Sequence, residues 1–141
     1  MNVSEVMTAQ VVTATPRTTV REVAQTMARI ETGAVPVVDD GKVVGLITDR
    51  DIVLRIVAEA GSLDTPVAEV MTEGVETCAE DDNVADAAAK MGSRQIRRLV
   101  VLGEGGRLCG ILSLGDIAVD YGAKAVGRTL EEISENSPAA Q

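Results

Sequence analysis

The second half of the chain repeats the first half in the same order. Val6-Met7-Thr8 recurs 64 residues later as Val70-Met71-Thr72, and Gly45-Leu46-Ile47-Thr48 recurs 65 residues later as Gly110-Ile111-Leu112-Ser113. Further positions that repeat at the 64-residue spacing are Thr13 with Thr77, Val20 with Val84, and Met27 with Met91. An internal repeat of this kind predicts two copies of one structural unit, because each copy must fold in the same way.

Small shifts of the spacing are expected at the turns of the repeat. Pro36-Val37-Val38 matches Leu99-Val100-Val101 at a spacing of 63, whereas the next strand matches at 65. The shift predicts that the second copy loses one residue before its central strand and gains two in the following hairpin, Gly103-Glu104-Gly105-Gly106. Apolar periodicity and turn residues predict the order β-α-β-β-α in each copy. A unit of about 60 residues buries too little surface to be stable alone, so the two copies should pack together.

The predicted fold is mixed α/β (α+β), with two β-α-β-β-α repeats packed as a pseudo-two-fold pair, sheets facing each other and helices outside. We expect the first repeat over residues 1–61, the second over 66–122, and a C-terminal helix with a flexible tail over 123–141, frayed from about Ser134. The elements expected in the first repeat are a short strand at about Val11–Ala14, a helix with a Thr19/Glu22 capping box, a hairpin of Ala34–Val38 and Lys42–Ile47, and a helix capped by Asp49 and ended by Gly61. Those expected in the second are a helix capped by Asn83, strands at about Arg98–Leu102 and Leu108–Leu112, and a helix from near Leu114.

Net charge excludes some functions. The chain carries a formal charge of -9 and has a sequence pI of about 4.4, which argues against nucleic-acid binding and against docking on anionic membranes. Positive charge is concentrated locally, at Lys90, Arg94, Arg97, Arg98 and Arg107, so an anionic small ligand is compatible with the sequence. The N-terminus has no signal-peptide pattern and no apolar run is long enough to span a membrane, so a cytoplasmic location is expected.

The residue types needed for common catalytic and metal sites are scarce. The chain has no His, no phosphate-binding loop of the Gly-x-x-x-x-Gly-Lys-Ser/Thr type, and only two cysteines, Cys78 and Cys109. Two cysteines are too few for a zinc site or a disulfide framework. We expect two buried thiols in strands, with a disulfide between them as the alternative. The sequence therefore predicts neither an enzyme nor a metal site.

Each copy ends in the pattern Gly-x-x-(Thr/Ser)-x-x-Asp-Ile. The two instances are Gly45-Leu46-Ile47-Thr48-Asp49-Arg50-Asp51-Ile52 and Gly110-Ile111-Leu112-Ser113-Leu114-Gly115-Asp116-Ile117. Together with Val6-Met7-Thr8, Val35-Pro36-Val37-Val38 and the 64-residue period, the pattern resembles a tandem pair of CBS domains, also called a Bateman module. The resemblance covers about residues 1–122. With almost no other domain, the chain is similar to small stand-alone bacterial CBS proteins, including hypoxic-response types from actinobacteria.

The resemblance implies a non-catalytic regulatory or sensor module. Such a pair binds an adenine nucleotide or related adenosyl ligand in the cleft between its repeats, commonly AMP, ADP, ATP or S-adenosylmethionine, and it often forms a homodimer. Because no further domain is attached, any regulated protein partner would be a separate molecule. The alternative is a structural or partner-binding CBS protein with a degenerate, empty cleft.

The closing pattern supplies the first candidate binding residues. An Asp in the first turn of a helix, at Asp51 or Asp116, can accept hydrogen bonds from the two vicinal ribose hydroxyls, and the hydroxyl of Thr48 or Ser113 favours an anion nearby. The alternative for these residues is that they only cap their helices.

The resemblance adds residues for the base and the phosphate. Thr13, Thr77 and the backbone near Val35, Pro36 and Leu99 would line the base pocket, although the two Thr residues could equally be strand filler. Arg97 and Arg98 would contact phosphate, or else pair only with Glu80-Asp81-Asp82. Since the first copy has Ala34-Val35 in place of the two arginines, and since the phosphate often points at the other copy, we expect a dominant site at Asp51 and a weaker one at Asp116.

Overall fold

The computed structural model describes residues 1–9, 12–120 and 123–135. In chain order its elements are β1 (Thr8–Ala9), α1 (Val20–Ile30), β2 (Ala34–Asp39), β3 (Lys42–Thr48), α2 (Asp49–Ile52), β4 (Thr77–Ala79), α3 (Val84–Arg94), β5 (Arg98–Leu102), β6 (Leu108–Ser113), α4 (Leu114–Asp120) and α5 (Ala123–Glu135). Short 3₁₀ turns lie at Val3–Glu5, Val67–Glu69 and Glu104–Gly106, and a π-helical segment, Val53–Val57, continues α2. The predicted mixed α/β fold is confirmed.

The chain forms two compact units, which do not follow the halves of the sequence. One unit contains Val11–Val75, and the other contains Met1–Gln10 together with Glu76–Gln141. We call them the first-repeat unit and the second-repeat unit. The N-terminal segment therefore belongs to the second-repeat unit: Val3 is fully buried in its core, and β1 pairs with β6. In the first-repeat unit the corresponding place is taken by Val67, 64 residues later, which is also fully buried.

The first-repeat unit is built around the hairpin of β2 and β3. Its turn residue Asp40 has a φ of 50° and Gly41 one of 75°, left-handed values that Gly and Asp tolerate. Helix α1 begins with the predicted capping box, in which Thr19 and Glu22 exchange hydrogen bonds. The buried face of the helix packs on the inner face of the hairpin, in a core of Ala14, Val20, Val23, Met27, Val35, Val37, Ile47, Ile56, Val67 and Val70. Aliphatic packing thus replaces the missing aromatic side chains.

Two local predictions for this unit are wrong. Asp49 does not cap α2; Thr48 does, because its hydroxyl accepts from the Asp51 amide three residues on. The expected strand at Val11–Ala14 is also absent from the described residues, since only Ala14 forms an isolated parallel bridge, with Val37. Val11 itself lies outside them.

The second-repeat unit has a four-stranded sheet in the order β1-β6-β5-β4. Strands β4 and β5 are parallel and connected by α3, which Asn83 caps as predicted, whereas β5 and β6 form the predicted antiparallel hairpin. Its core contains Val3, Val6, Cys78, Val84, Ala87, Ala88, Met91, Leu99, Val101, Leu112, Leu114, Ile117 and Ile133. The last of these belongs to α5, which packs against α3 and α4. Ser134, expected at a frayed end, lies within α5, and residues 136–141 are outside the described part.

Strand register corrects the alignment of the two repeats. Val35 pairs with Ile47, and Leu99 pairs with Leu112 at the same place in the other hairpin. Val35 is therefore the counterpart of Leu99, and the spacing stays at 64 through the central strand instead of falling to 63. The hairpin of the second copy has one added residue, not two. Consequently the counterparts of Arg97 and Arg98 are Gly33 and Ala34, not Ala34 and Val35.

The two thiols are free, so the disulfide alternative is not observed. Burial, with a smaller contribution from the Asp82 carboxylate, raises the pKa of Cys78 to about 11. Cys109 is partly exposed, and the hydrogen bond from its Sγ to Glu80 raises its pKa above the usual value. Both environments favour the neutral, unreactive thiol.

Within the described ranges, none of the helices combines the length and apolar character needed for a membrane crossing.

Candidate functional site

The closing pattern of the first repeat forms a closed hydrogen-bonded ring at the junction of β3 and α2. The Thr48 amide donates to Oδ2 of Asp51 at 2.9 Å, and the Asp51 amide donates to Oγ1 of Thr48 at 3.1 Å. This is a capping box with Asp at the third helical position. The Asp51 residue is 8% exposed, so its carboxylate is held almost entirely inside the protein.

Additional side chains surround the same carboxylate. Thr72 donates from Oγ1 to Oδ1 of Asp51 at 3.2 Å, and Nη1 of Arg55 lies 3.9 Å from that oxygen. Nη1 of Arg55 also donates to the carbonyl oxygens of Val70 at 2.7 Å and Met71 at 3.1 Å. We call Arg55, Thr72 and these two carbonyl groups the clamp, because they join α2 and the π-helical segment that continues it to residues 70–72.

The second repeat has the capping box without the clamp. The Ser113 amide donates to Oδ2 of Asp116 at 3.0 Å, and the Asp116 amide donates to Oγ of Ser113 at 3.1 Å. Asp116 is only partly buried. The counterpart of Arg55, four residues after the capping Asp, is Asp120, which has no donor group. In the described part of the chain, no hydrogen bond links Asp116 to Thr8, the counterpart of Thr72.

A cationic cavity lies beside the second capping box. Its volume is about 400 Å³, and its lining residues are Arg97, Arg98, Ser113, Leu114, Gly115, Ala118 and Leu130. Strand register places Arg98 directly opposite Ser113. Among the described residues neither Arg97 nor Arg98 forms an ion pair, so the predicted alternative of pairing with Glu80-Asp81-Asp82 is not observed. The two guanidinium groups are therefore available to an anion.

The residues predicted for the base pocket lie in different environments. Thr13 is exposed, directly before Ala14, whose backbone pairs with β2. Thr77 is partly buried at the start of β4, and its carbonyl oxygen accepts a hydrogen bond from Lys90. The side chains of Val35 and Leu99 are fully buried in the two separate cores, so only their backbone groups remain for a ligand.

Pro36, the remaining member of the predicted set, is buried in β2 next to Val35. Within each unit the structure thus brings together the strand end and the capping Asp: Thr48 with Asp51, and Ser113 with Asp116 and Arg98. Thr13 and Thr77 have no described contact with these groups.

Arg55, Thr72 and Leu130 were not recognised from the sequence. A weak signal existed for Arg55, since it follows Asp51 by four residues on a helix. Thr72 belongs to the repeated Val-Met-Thr segment, but nothing in the pattern relates that segment to the capping Asp. Leu130 lies on α5, outside both repeats. In the described residues there is also no group of three or more His, Cys, Asp or Glu side chains that could hold a metal ion.

The sequence of both repeats matches a known family of protein domains. The family model of the CBS domain matches the chain twice, over residues 3–58 and 67–120. The CBS domain-containing protein YhcV of Bacillus subtilis (strain 168) is 38% identical over 137 residues, which are 96% of this chain and 97% of that protein. The similarity thus extends over the whole of both repeats.

Solved structures with the same fold include adenosyl complexes. CBS domain protein PAE2072 from Pyrobaculum aerophilum, complexed with AMP, has a TM-score of 0.78 and 29% identity, covering 92% of this chain and 98% of that one. The CBS domain pair of protein MJ0100, in complex with 5-methylthioadenosine and S-adenosyl-L-methionine, has a TM-score of 0.77 and 30% identity, covering 88% and 98%. Hypoxic Response Protein I, with two coordinated zinc ions, has a TM-score of 0.74 and 29% identity, covering 85% and 98%. The resemblances predicted from the sequence are confirmed.

Proposed function

The chain belongs to the CBS-domain family, and we propose that it is a non-catalytic regulatory module that binds an adenine nucleotide or related adenosyl ligand. The candidate ligands are AMP, ADP, ATP and S-adenosylmethionine. The observation that carries the proposal is the cationic cavity beside the Ser113–Asp116 capping box. The cavity offers positive charge for a phosphate. Asp116, which is hydrogen-bonded to the lining residue Ser113, would supply the carboxylate for the ribose hydroxyls.

The size and charge of the cavity support a small phosphorylated ligand. Pockets for small molecules span roughly 300–1,000 Å³, and the cavity of about 400 Å³ is within this range. Guanidinium groups bind phosphate through paired hydrogen bonds, so Arg97 and Arg98 suit this role. In a chain of charge -9, two neighbouring arginines that form no ion pair with any described residue create a local positive charge, which favours an anion.

We propose that the ligand contacts residues of the second repeat, namely Thr77, Arg97, Arg98, Leu99, Ser113 and Asp116. The places expected from the sequence in the first repeat are Thr13, Val35, Pro36, Thr48 and Asp51. Val35 and Leu99 would contribute backbone groups only, because their side chains are in the cores. PAE2072, which has the same fold, was crystallised with AMP, and MJ0100 with 5-methylthioadenosine and S-adenosyl-L-methionine. These ligands share the adenosyl group and differ in charge.

One observation favours the alternative of a structural or partner-binding protein. The carboxylates of Asp51 and Asp116 each accept a hydrogen bond from the amide of the residue that caps their own helix. Helix capping therefore accounts for the presence of an Asp at both places without any ligand. A carboxylate has about four acceptor positions, and capping occupies one of them. Capping thus leaves room for a ligand. The structural or partner-binding function predicts instead that the cavity stays empty when an adenosyl compound is supplied.

A thermal-shift series separates the two functions. A ligand that binds only the folded state must raise the melting temperature. We expect AMP to raise it in the wild-type protein and in Arg29→Gln, which removes an exposed arginine on α1. We expect Arg97→Gln/Arg98→Gln to lose most of the shift. No shift with AMP, ADP, ATP or S-adenosylmethionine would leave the structural alternative.

A further inference from the structure

We infer that Arg55 and Thr72 close the first-repeat carboxylate, so the chain binds one adenosyl ligand, on Asp116, and uses Asp51 to hold its own backbone. The inference rests on the proposed function and assigns the two repeats different roles. It reverses the order expected from the sequence, in which Asp51 held the stronger site.

The first step concerns acceptor capacity. Two vicinal ribose hydroxyls need two free acceptor positions on one carboxylate. Oδ2 of Asp51 accepts from the Thr48 amide and Oδ1 from the Thr72 hydroxyl, so about two of its four acceptor positions remain. Thr72 and Arg55 cover these positions, since the Asp51 side chain is 10% exposed, and a sugar would have to displace Thr72 before it could bind. Asp116 has the capping amide of Ser113 but no counterpart of the Thr72 and Arg55 contacts among the described residues.

The second step explains why the closure occurs in one repeat only. Arg55 donates to the carbonyl oxygens of Val70 and Met71, which fixes the segment that carries Thr72. At the same place in the second repeat, Asp120 has only acceptor oxygens and cannot bond to carbonyl groups. One difference of side chain thus decides whether the neighbouring Thr is held against the capping Asp.

The third step concerns the phosphate. Strand register places Arg98 opposite Ser113 in the second repeat, whereas Ala34 lies opposite Thr48 in the first. Arg97 likewise corresponds to Gly33, because the carbonyl oxygens of both accept from the first helical amide, of Leu114 and of Asp49. Among the described residues, cationic side chains at the start of the strand opposite the capping box therefore occur only in the second repeat.

Calorimetry with AMP tests the stoichiometry. We expect one AMP per chain for the wild type and for Asp51→Asn, with affinities that agree within about twofold, and a loss of at least tenfold for Asp116→Asn. Asn keeps an oxygen that can accept the capping amide, so both variants should fold, which circular dichroism checks. Two equivalent sites in the wild type, or loss of AMP binding in Asp51→Asn alone, would overturn the inference.

Opening the clamp should create a second site. In Arg55→Ala/Thr72→Val the Asp51 carboxylate loses both contacts, and we expect a second, weaker AMP to bind. Arg50→Ala is the matched control, since Arg50 is an exposed arginine on the same helix and its side chain forms no described contact. A stoichiometry of one in the clamp variant, or of two in the control, would contradict the assigned role of the clamp.

A measurement without ligand separates this inference from the proposed function. Carbodiimide with glycine ethyl ester labels accessible carboxylates, and mass spectrometry locates the label. We expect Asp116 to be labelled several times faster than Asp51 in the wild type, and Asp51 to reach a comparable rate in Arg55→Ala/Thr72→Val. Equal rates in the wild type overturn the closure even if AMP binds. If no adenosyl compound binds, the proposed function fails, whereas the labelling rates still decide whether the clamp exists.

Discussion

Truncation of Val3 tests the division of the chain into its two units. Val3 is fully buried against the second-repeat core, although it lies at the start of the sequence. Val3→Ala removes two methyl groups, and burial of each contributes about 0.8 kcal/mol, or about 1.6 kcal/mol together. The residual cavity adds to this, so we expect a loss of about 2–3 kcal/mol in the free energy of unfolding. Val67→Ala makes the same change at the matching position of the first-repeat core, whereas Val119, which is 84% exposed, provides a control expected to change by less than about 0.5 kcal/mol.

Urea unfolding followed by circular dichroism measures the total loss for each variant. Native-state hydrogen exchange with peptide-resolved mass spectrometry then locates it, because amides in local units open separately. We expect Val3→Ala to lower the protection of α3 and spare α1, and Val67→Ala to do the reverse. If Val3→Ala lowered protection mainly in α1, or if both variants affected both helices equally, the assignment of the N-terminal segment to the second-repeat unit would be refuted.

Three other changes have defined outcomes. Gly110→Ala should destabilise the fold by about 1–3 kcal/mol and by more than Gly45→Ala in urea unfolding, because a Cβ at Gly110 would lie 2.5 Å from the Thr8 carbonyl oxygen, whereas the nearest backbone atom to a Cβ at Gly45 is the Thr72 carbonyl oxygen at 2.9 Å. Burial raises the pKa of Cys78 to about 11 from 9.0, so the unfolded thiol ionises first and stability should fall as pH rises from 9 to 11. This fall should be smaller in Cys78→Ala, in which only the raised pKa of Cys109 still contributes. We expect a homodimer, and because Leu54 and Val57 are 49% and 66% exposed, Leu54→Glu/Val57→Glu should give a monomer by light scattering if this face forms the interface.

The sequence predicted the elements whose signals are local. Helices α1 and α3 begin at the expected caps, because a capping side chain and the apolar period lie within a few neighbouring residues. The two-residue strand β1 was not predicted, since its structure depends on pairing with β6 about a hundred residues away. The alignment at a spacing of 63 was wrong for a similar reason: Val-Val pairs recur along the central strands, and only hydrogen-bond register distinguishes between them.

The candidate site was predictable as far as residue types carry the chemistry. Asp51, Asp116, Arg97 and Arg98 were recognised because carboxylates and guanidinium groups in a repeated pattern indicate ligand contact. Their different availability was not predictable, because it depends on where Arg55 finds acceptors. Those acceptors are backbone carbonyl groups, which every residue has and no sequence pattern marks.

The two repeats share the capping box and differ in the charged side chains around it. The glycine in the second hairpin strand and the capping box occur in both units, whereas the turn of the hairpin is longer in the second. The residue four positions after the capping Asp is Arg in the first copy and Asp in the second. The pair at the start of the central strand differs in the opposite sense, since Gly33-Ala34 of the first copy is replaced by Arg97-Arg98 in the second. Arg97 and Arg98 favour an anionic ligand at the second capping box, and Arg55 favours closure of the first, because only Arg55 can donate to the carbonyl groups of Val70 and Met71. Two repeats with the same capping box can therefore differ in whether its carboxylate is open to a ligand.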